Sequence, residues 1–149
     1  MSDIVLAVHN IVRWVALILL VMVVVRSFIG WFGKREWSET DHKLGTYTTI
    51  GIDIQLLLGV LLYIFYSPIT KAGFQDMSSA MQVSDVRFFV FEHALIMLLA
   101  VVSAHMGSML PKRADDSTTK YRRAAIWFTL ALLLILAGTP WFRPLFPGL

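Results

Sequence analysis

The sequence predicts an all-α integral membrane protein: a four-helix bundle forming one domain over 1–149, running up-down-up-down, with both termini on the same, outer side. Three observations lead there. The 149 residues are 57% hydrophobic and 15% charged, with a mean hydropathy of +0.69, too apolar for an ordinary soluble domain. Four apolar stretches, at about 4–30, 42–66, 86–110 and 124–140, reach the roughly 20 residues that a helix needs to cross hydrocarbon, and little chain is left over. The basic residues, finally, are shared unequally. Arg26 with the first connection supplies four Lys or Arg and the third connection five, against four on the other side at Arg13, Lys71, Arg87 and Arg143. Positively charged loops stay in the cytoplasm, so the termini and the long second connection fall outside it.

The same clustering accounts for the net charge of +3 as a topology signal, with no nucleic-acid-binding patch implied. The absence of cysteine excludes disulfides, thiolate metal sites, covalently attached c-type haem and thiolate-held iron–sulfur clusters. Histidine is then the strongest remaining ligand type. No basic region precedes the first apolar stretch and no small-residue cleavage site follows it, so it reads as a mature span and not a signal peptide.

Helix 1 is expected from Asp3 or Ile4 to about Gly30, with Ser2 as N-cap and Gly30 or Gly33 near its end. His9 and Arg13, four apart, share one face of it, and Trp14 suits the interface. The first connection, 33–44, is charged, and Ser38 to Asp41 has capping-box spacing that starts helix 2 ahead of the membrane. Helix 2 stops before Pro68. One of its faces carries His42, Thr46, Thr49 and Asp53; another carries Gly51, Gln55 and Gly59, small enough for close helix packing. The second connection, 67–85, is mixed, with room for a short interfacial helix, and Ser84 is placed to cap helix 3, which ends before Pro111. Helix 4, about 124–139, has no ionisable residue and is stopped by Pro140. The aromatic and proline-rich tail suits a membrane surface.

Within this topology the four histidines sort by depth, at about 1.5 Å per residue. His9 and His93 lie near the outer ends of helices 1 and 3, while His42 and His105 lie toward the inner ends of helices 2 and 3. Each pair draws on two helices, which is what a bundle needs to hold haem iron between two axial imidazoles. The outer pair carries more of the expected chemistry. Arg13 can meet a haem propionate, and Glu92 can pair with that arginine or orient a neighbour. His42 sits among charges where a solvated histidine is the ordinary outcome. His93 and His105, twelve apart, point about 120° from each other around the helix, so one haem is expected before two. Each histidine also has a plain structural reading, a hydrogen bond to a neighbouring helix or to interfacial water. Asp53, near mid-membrane, is either a proton-relay or quinone-site acid, fed through Thr49, Thr46 and His42, or a protonated carboxyl bonded to another helix.

The elements His9-Asn10-Ile11-Val12-Arg13-Trp14, Asp53-Ile54-Gln55-Leu56-Leu57-Leu58-Gly59, and Arg87-Phe88-Phe89 leading to Glu92-His93 resemble a family of small bacterial four-helix membrane proteins labelled cytochrome b-like. The likeness spans nearly the whole chain. It implies haem b and electron transfer in the bacterial cytoplasmic membrane, with His9 and His93 as ligands and Arg13 at a propionate; His42 and His105 depart from a two-haem pattern. The expected function is therefore a membrane b-type cytochrome, an electron-transfer component exchanging electrons with quinone, a partner protein or a larger membrane complex. The competing reading is a haem-free structural subunit, or a proton-coupled channel or carrier using Asp53.

Overall fold

A computed structural model describes residues 2–143, and among them four helices are long and apolar enough to cross a membrane. Helix α1 (Ser2–Phe32) runs past its expected end at Gly30. Its stop is local: the Arg35 N–H reaches the Gly30 carbonyl at 3.0 Å and the Lys34 N–H reaches that of Trp31 at 3.4 Å, the paired bonds of a Schellman motif. Lys34 holds the left-handed conformation there, φ 50°, which costs a residue with a side chain about 1 kcal/mol. Gly30 serves another purpose, since a Cβ at that position would collide with the Tyr121 ring.

Helix α2 (Glu39–Leu61) begins at the expected capping box. Ser38 Oγ accepts the Asp41 N–H at 3.4 Å and the Asp41 carboxylate accepts the Ser38 N–H at 2.9 Å. A π-helical turn, Leu62–Tyr66, extends it to the brink of Pro68. The second connection holds two short helices where one was expected, α3 (Pro68–Gln75), capped by Ser67, and α4 (Met77–Gln82), capped by Asp76. The Tyr63 hydroxyl donates to the Val90 carbonyl at 2.6 Å and that of Thr70 to the Tyr63 carbonyl at 2.7 Å. These bonds tie the connection across the ends of both spans.

The third span is built from α5 (Ser84–Arg87), a π-helical turn at Phe88–Glu92, and α6 (His93–Met109). Ser84 does not cap it: the N-cap is Val83, without a side-chain bond, and Ser84 lies inside the first turn. Helix α7 (Ser117–Gly138) starts well before 124, capped by Asp116, which accepts the Thr119 N–H at 2.8 Å. The basic residues from Lys120 to Arg123 fall outside the apolar run but are good helix formers, so the helix leads the span. Two hydrogen bonds hold that carboxyl below the usual aspartate range, those from the Thr119 N–H and then its hydroxyl. Pro140 ends α7 as expected, and the Trp141 indole donates to the Leu136 carbonyl at 2.7 Å, taking the place of the N–H that Pro140 lacks. Residues 144–149 of the tail lie outside the described residues.

Helix α1 packs on α2 and α7, and α6 packs on α7, with a less extensive seam between α2 and α6. Alanines 100, 104, 124 and 131 let backbones approach closely, and the Phe128 ring lies against both Gly45 and Gly107. In the apolar windows of α1 and α7 39% of residues are buried, against 17% in the other two spans; α1 and α7 therefore form the spine, and α2 and the third span present most of their apolar surface outward. Ile18, Leu57, Val102 and Leu133 are each more than half exposed, an outer surface suited to lipid and unsuited to water.

Candidate functional site

Of the residues expected at the outer site, helix packing brings His9, Arg13 and His93 within electrostatic reach of one another. His93 is the first residue after the π-helical turn, and its Nδ1 lies 2.7 Å from the Gly138 carbonyl. That carbonyl belongs to the last turn of α7, where the chain turns away at Pro140 and leaves it without an intrahelical donor. His93 Nδ1–H supplies one. The tautomer so fixed leaves Nε2 unprotonated, as a metal ligand requires. Phe88 and Phe89 flank the ring at centroid distances of 5.8 and 5.9 Å.

His9 faces α2, where its Nε2 lies 3.1 Å from the Gln55 amide nitrogen and its Cε1 lies against the open side of Gly59. The face of Gly51, Gln55 and Gly59 is thus the packing surface for α1, Gly51 meeting Leu19 and Ala16. His9 Nδ1 and Gln55 Oε1 are both buried and lack a hydrogen-bond partner among the described residues. Flipping the amide reverses the donor at Nε2 and still leaves Nδ1 unpartnered. Buried polar atoms are rarely left so, each costing on the order of 1–3 kcal/mol. His93 and Arg13 both lie within electrostatic reach of His9, and Arg13 within reach of His93. Arg13 is itself buried and holds its guanidinium 5.5 Å from the Trp14 ring centroid.

This donor set fits a haem in its chemistry: two imidazoles from different helices, one already carrying a backbone acceptor on Nδ1 and flanked by phenylalanines, with a cation within electrostatic reach of both. His9 Nε2 is engaged by Gln55, so that amide must turn away for His9 to ligate through it. No group of three or more His, Cys, Asp or Glu suited to a bare metal ion occurs among the described residues. Two imidazoles leave most of an ion's coordination shell to be filled, which the four ring nitrogens of a haem do.

The other candidates are placed differently. Glu92 pairs with Arg87 at 2.8 Å, not with Arg13, because the π-helical turn puts it on the rim beside its own helix start. His105 Nε2 meets Asp53 Oδ1 at 2.8 Å across the seam between α2 and α6. The expected inner pair is not assembled: His42 lies in a surface groove with Pro111 and Lys112, and Pro111 is six residues, about 9 Å, beyond His105. Thr46 and Thr49, on the way to Asp53, donate to carbonyls of their own helix at 3.1 and 2.8 Å.

At the opposite end a polar cluster passed unnoticed in the sequence. Asp41, 4% exposed, accepts from Arg26 Nε at 2.5 Å, Ser38 Oγ at 2.6 Å and the Tyr121 hydroxyl at 2.7 Å. It joins α1, α2 and α7. Arg26, a lone cation in an apolar run, was the signal for it. The signal for Gln55 was similar, an amide in the middle of an apolar helix. The Gly138 carbonyl was foreshadowed by Pro140.

These elements define a class: among the described residues, an all-helical chain with four helices able to cross a membrane. No family model, curated protein or solved structure matches the chain. Any narrower assignment rests on the residues themselves.

Proposed function

We propose that the chain is a b-type cytochrome of the bacterial cytoplasmic membrane, holding one haem b between His9 and His93. It crosses four times as an up-down-up-down bundle, with both termini outside, as the unequal sharing of Lys and Arg indicates. The observation that carries the reading is that two half-buried imidazoles, one from α1 and one from the third span, lie within electrostatic reach of each other, with His93 Nδ1 on the Gly138 carbonyl. Bound haem supplies one-electron transfer between ferric and ferrous iron. The Gly138 carbonyl orients the His93 ring and raises its basicity. Arg13 would meet a propionate carboxylate, and the flanking phenylalanines would exclude water. His9 and His93 would hold the group, and the chemistry it would supply is electron transfer, with quinone or a partner protein as the exchange partner.

The absorption spectrum of protein expressed with ample haem tests this directly. A Soret band and a sharp reduced α-band are expected; a colourless preparation sinks the reading.

A second reading is favoured by one observation, the Asp53–His105 pair at 2.8 Å, with each side chain 42% exposed on the lipid-facing seam. A carboxyl and an imidazole in contact at membrane depth can pass a proton. In a cytochrome the pair would serve quinone protonation; without haem it would serve a proton-coupled carrier. Proton flux into vesicles that is abolished in Asp53→Asn, from colourless protein, supports the carrier.

A further inference from the structure

We propose that the groove between α1 and α2 at the Arg26 end is a binding site for one anionic phospholipid. It takes an acyl chain along α1 and the phosphate at Arg35. The groove is open along its length, with a volume of about 360 Å³. Its apolar wall is formed by Val21, Met22 and Val25 of α1 with Leu44 of α2, and Arg26 and Arg35 stand at its head. The α1 wall follows helical spacing, so it runs parallel to the helix axis, the direction in which an acyl chain lies in a bilayer. Val21, Met22 and Val25 are about half exposed, so a chain seated there gains contact without displacing any protein group.

The two arginines differ in a way that selects charge. Arg26 Nε donates to Asp41 Oδ1, which both neutralises Arg26 and holds its guanidinium in place; the side chain is still 44% exposed. Arg35 makes no ion pair among the described residues, and its charge is uncompensated. The Schellman stop fixes its position, since its own N–H closes the motif on the Gly30 carbonyl at 3.0 Å. A guanidinium binds phosphate oxygens through its fork of N–H donors. The choline cation of phosphatidylcholine offsets its phosphate, whereas phosphatidylglycerol keeps a net negative charge, so an uncompensated Arg35 favours the second. The site is separate from the histidine end and does not depend on haem.

The test is electron paramagnetic resonance of spin-labelled lipids with the full-length chain in phosphatidylcholine vesicles, reading the fraction of label immobilised on the protein. Labelled phosphatidylglycerol is expected to be retained preferentially over labelled phosphatidylcholine. Arg35→Gln is expected to lower that preference about fivefold, the share of one surface cation. Met22→Trp, which fills the groove without changing charge, is expected to remove it too. Arg122→Gln, exposed at the same end but not in the groove, is expected to leave it within about twofold. The proposal is overturned if wild type shows no preference, if Arg35→Gln leaves it intact, or if Arg122→Gln lowers it as much, since diffuse surface charge would then explain it. It is also overturned if soluble glycerol phosphate displaces the label as well as diacyl phosphatidylglycerol does.

Discussion

At one end of the helices Asp41 is buried with both carboxylate oxygens bonded, to Arg26 on one side and to Ser38 and Tyr121 on the other. At the other end His9 and Gln55, both half-buried, each hold one buried polar atom that no described residue satisfies. Both ends use polar groups drawn from several helices, and both sit in apolar surroundings where an unpaired group is costly. A closed network stabilises the fold and leaves nothing for a ligand. An open one is destabilising until something completes it, which is where binding is expected. The contrast assigns the Asp41 end to stability and the His9 end to function.

Breaking the closed end has the largest expected effect on stability. Asp41→Ala removes the carboxylate half of the α2 capping box and the acceptor for both Arg26 and Tyr121, and is expected to destabilise the chain by about 2–3 kcal/mol, read as a lowered Tm in detergent. Haem affinity per folded molecule should not change. Gly30→Ala at the same end drives a methyl into the Tyr121 ring and is expected to cost about 1–3 kcal/mol through overpacking. Lys34→Gly works in the opposite direction. It relieves the left-handed φ of 50° and is expected to stabilise by about 1 kcal/mol, read as a raised Tm. At the open end, Gln55→Leu removes the amide that engages His9 Nε2 and the unpaired oxygen with it. Its expected effect on the haem-free protein is within about 0.5 kcal/mol, while haem binding tightens. A large loss of stability in Gln55→Leu would mean that the open end is a structural network after all.

The comparison also explains what could be read from residues alone. The four spans were legible because bilayer crossing imposes a length and a composition on the chain, and the Ser38–Asp41 box because a cap is a matter of local spacing. Partners across helices were not. The capping role of Asp41 is local, but its hold on Arg26 and Tyr121 is not, because helix rotation depends on packing that no local pattern reports. The π-helical turn at Phe88–Glu92 shifts the face of everything after it, so Glu92 found Arg87 and not Arg13. Helix α7 began early because a helix does not have to start where the hydrocarbon does. His105 met Asp53 because the residue opposite it depends on how α2 and α6 slide past each other.

Haem titration into the purified chain and its histidine variants tests the central claim most directly. Wild type is expected to saturate at one haem per chain with a Soret band, lost in His9→Ala and in His93→Ala and kept in His42→Ala and His105→Ala. Saturation with the band unchanged in both His9→Ala and His93→Ala, or no binding by wild type, contradicts it.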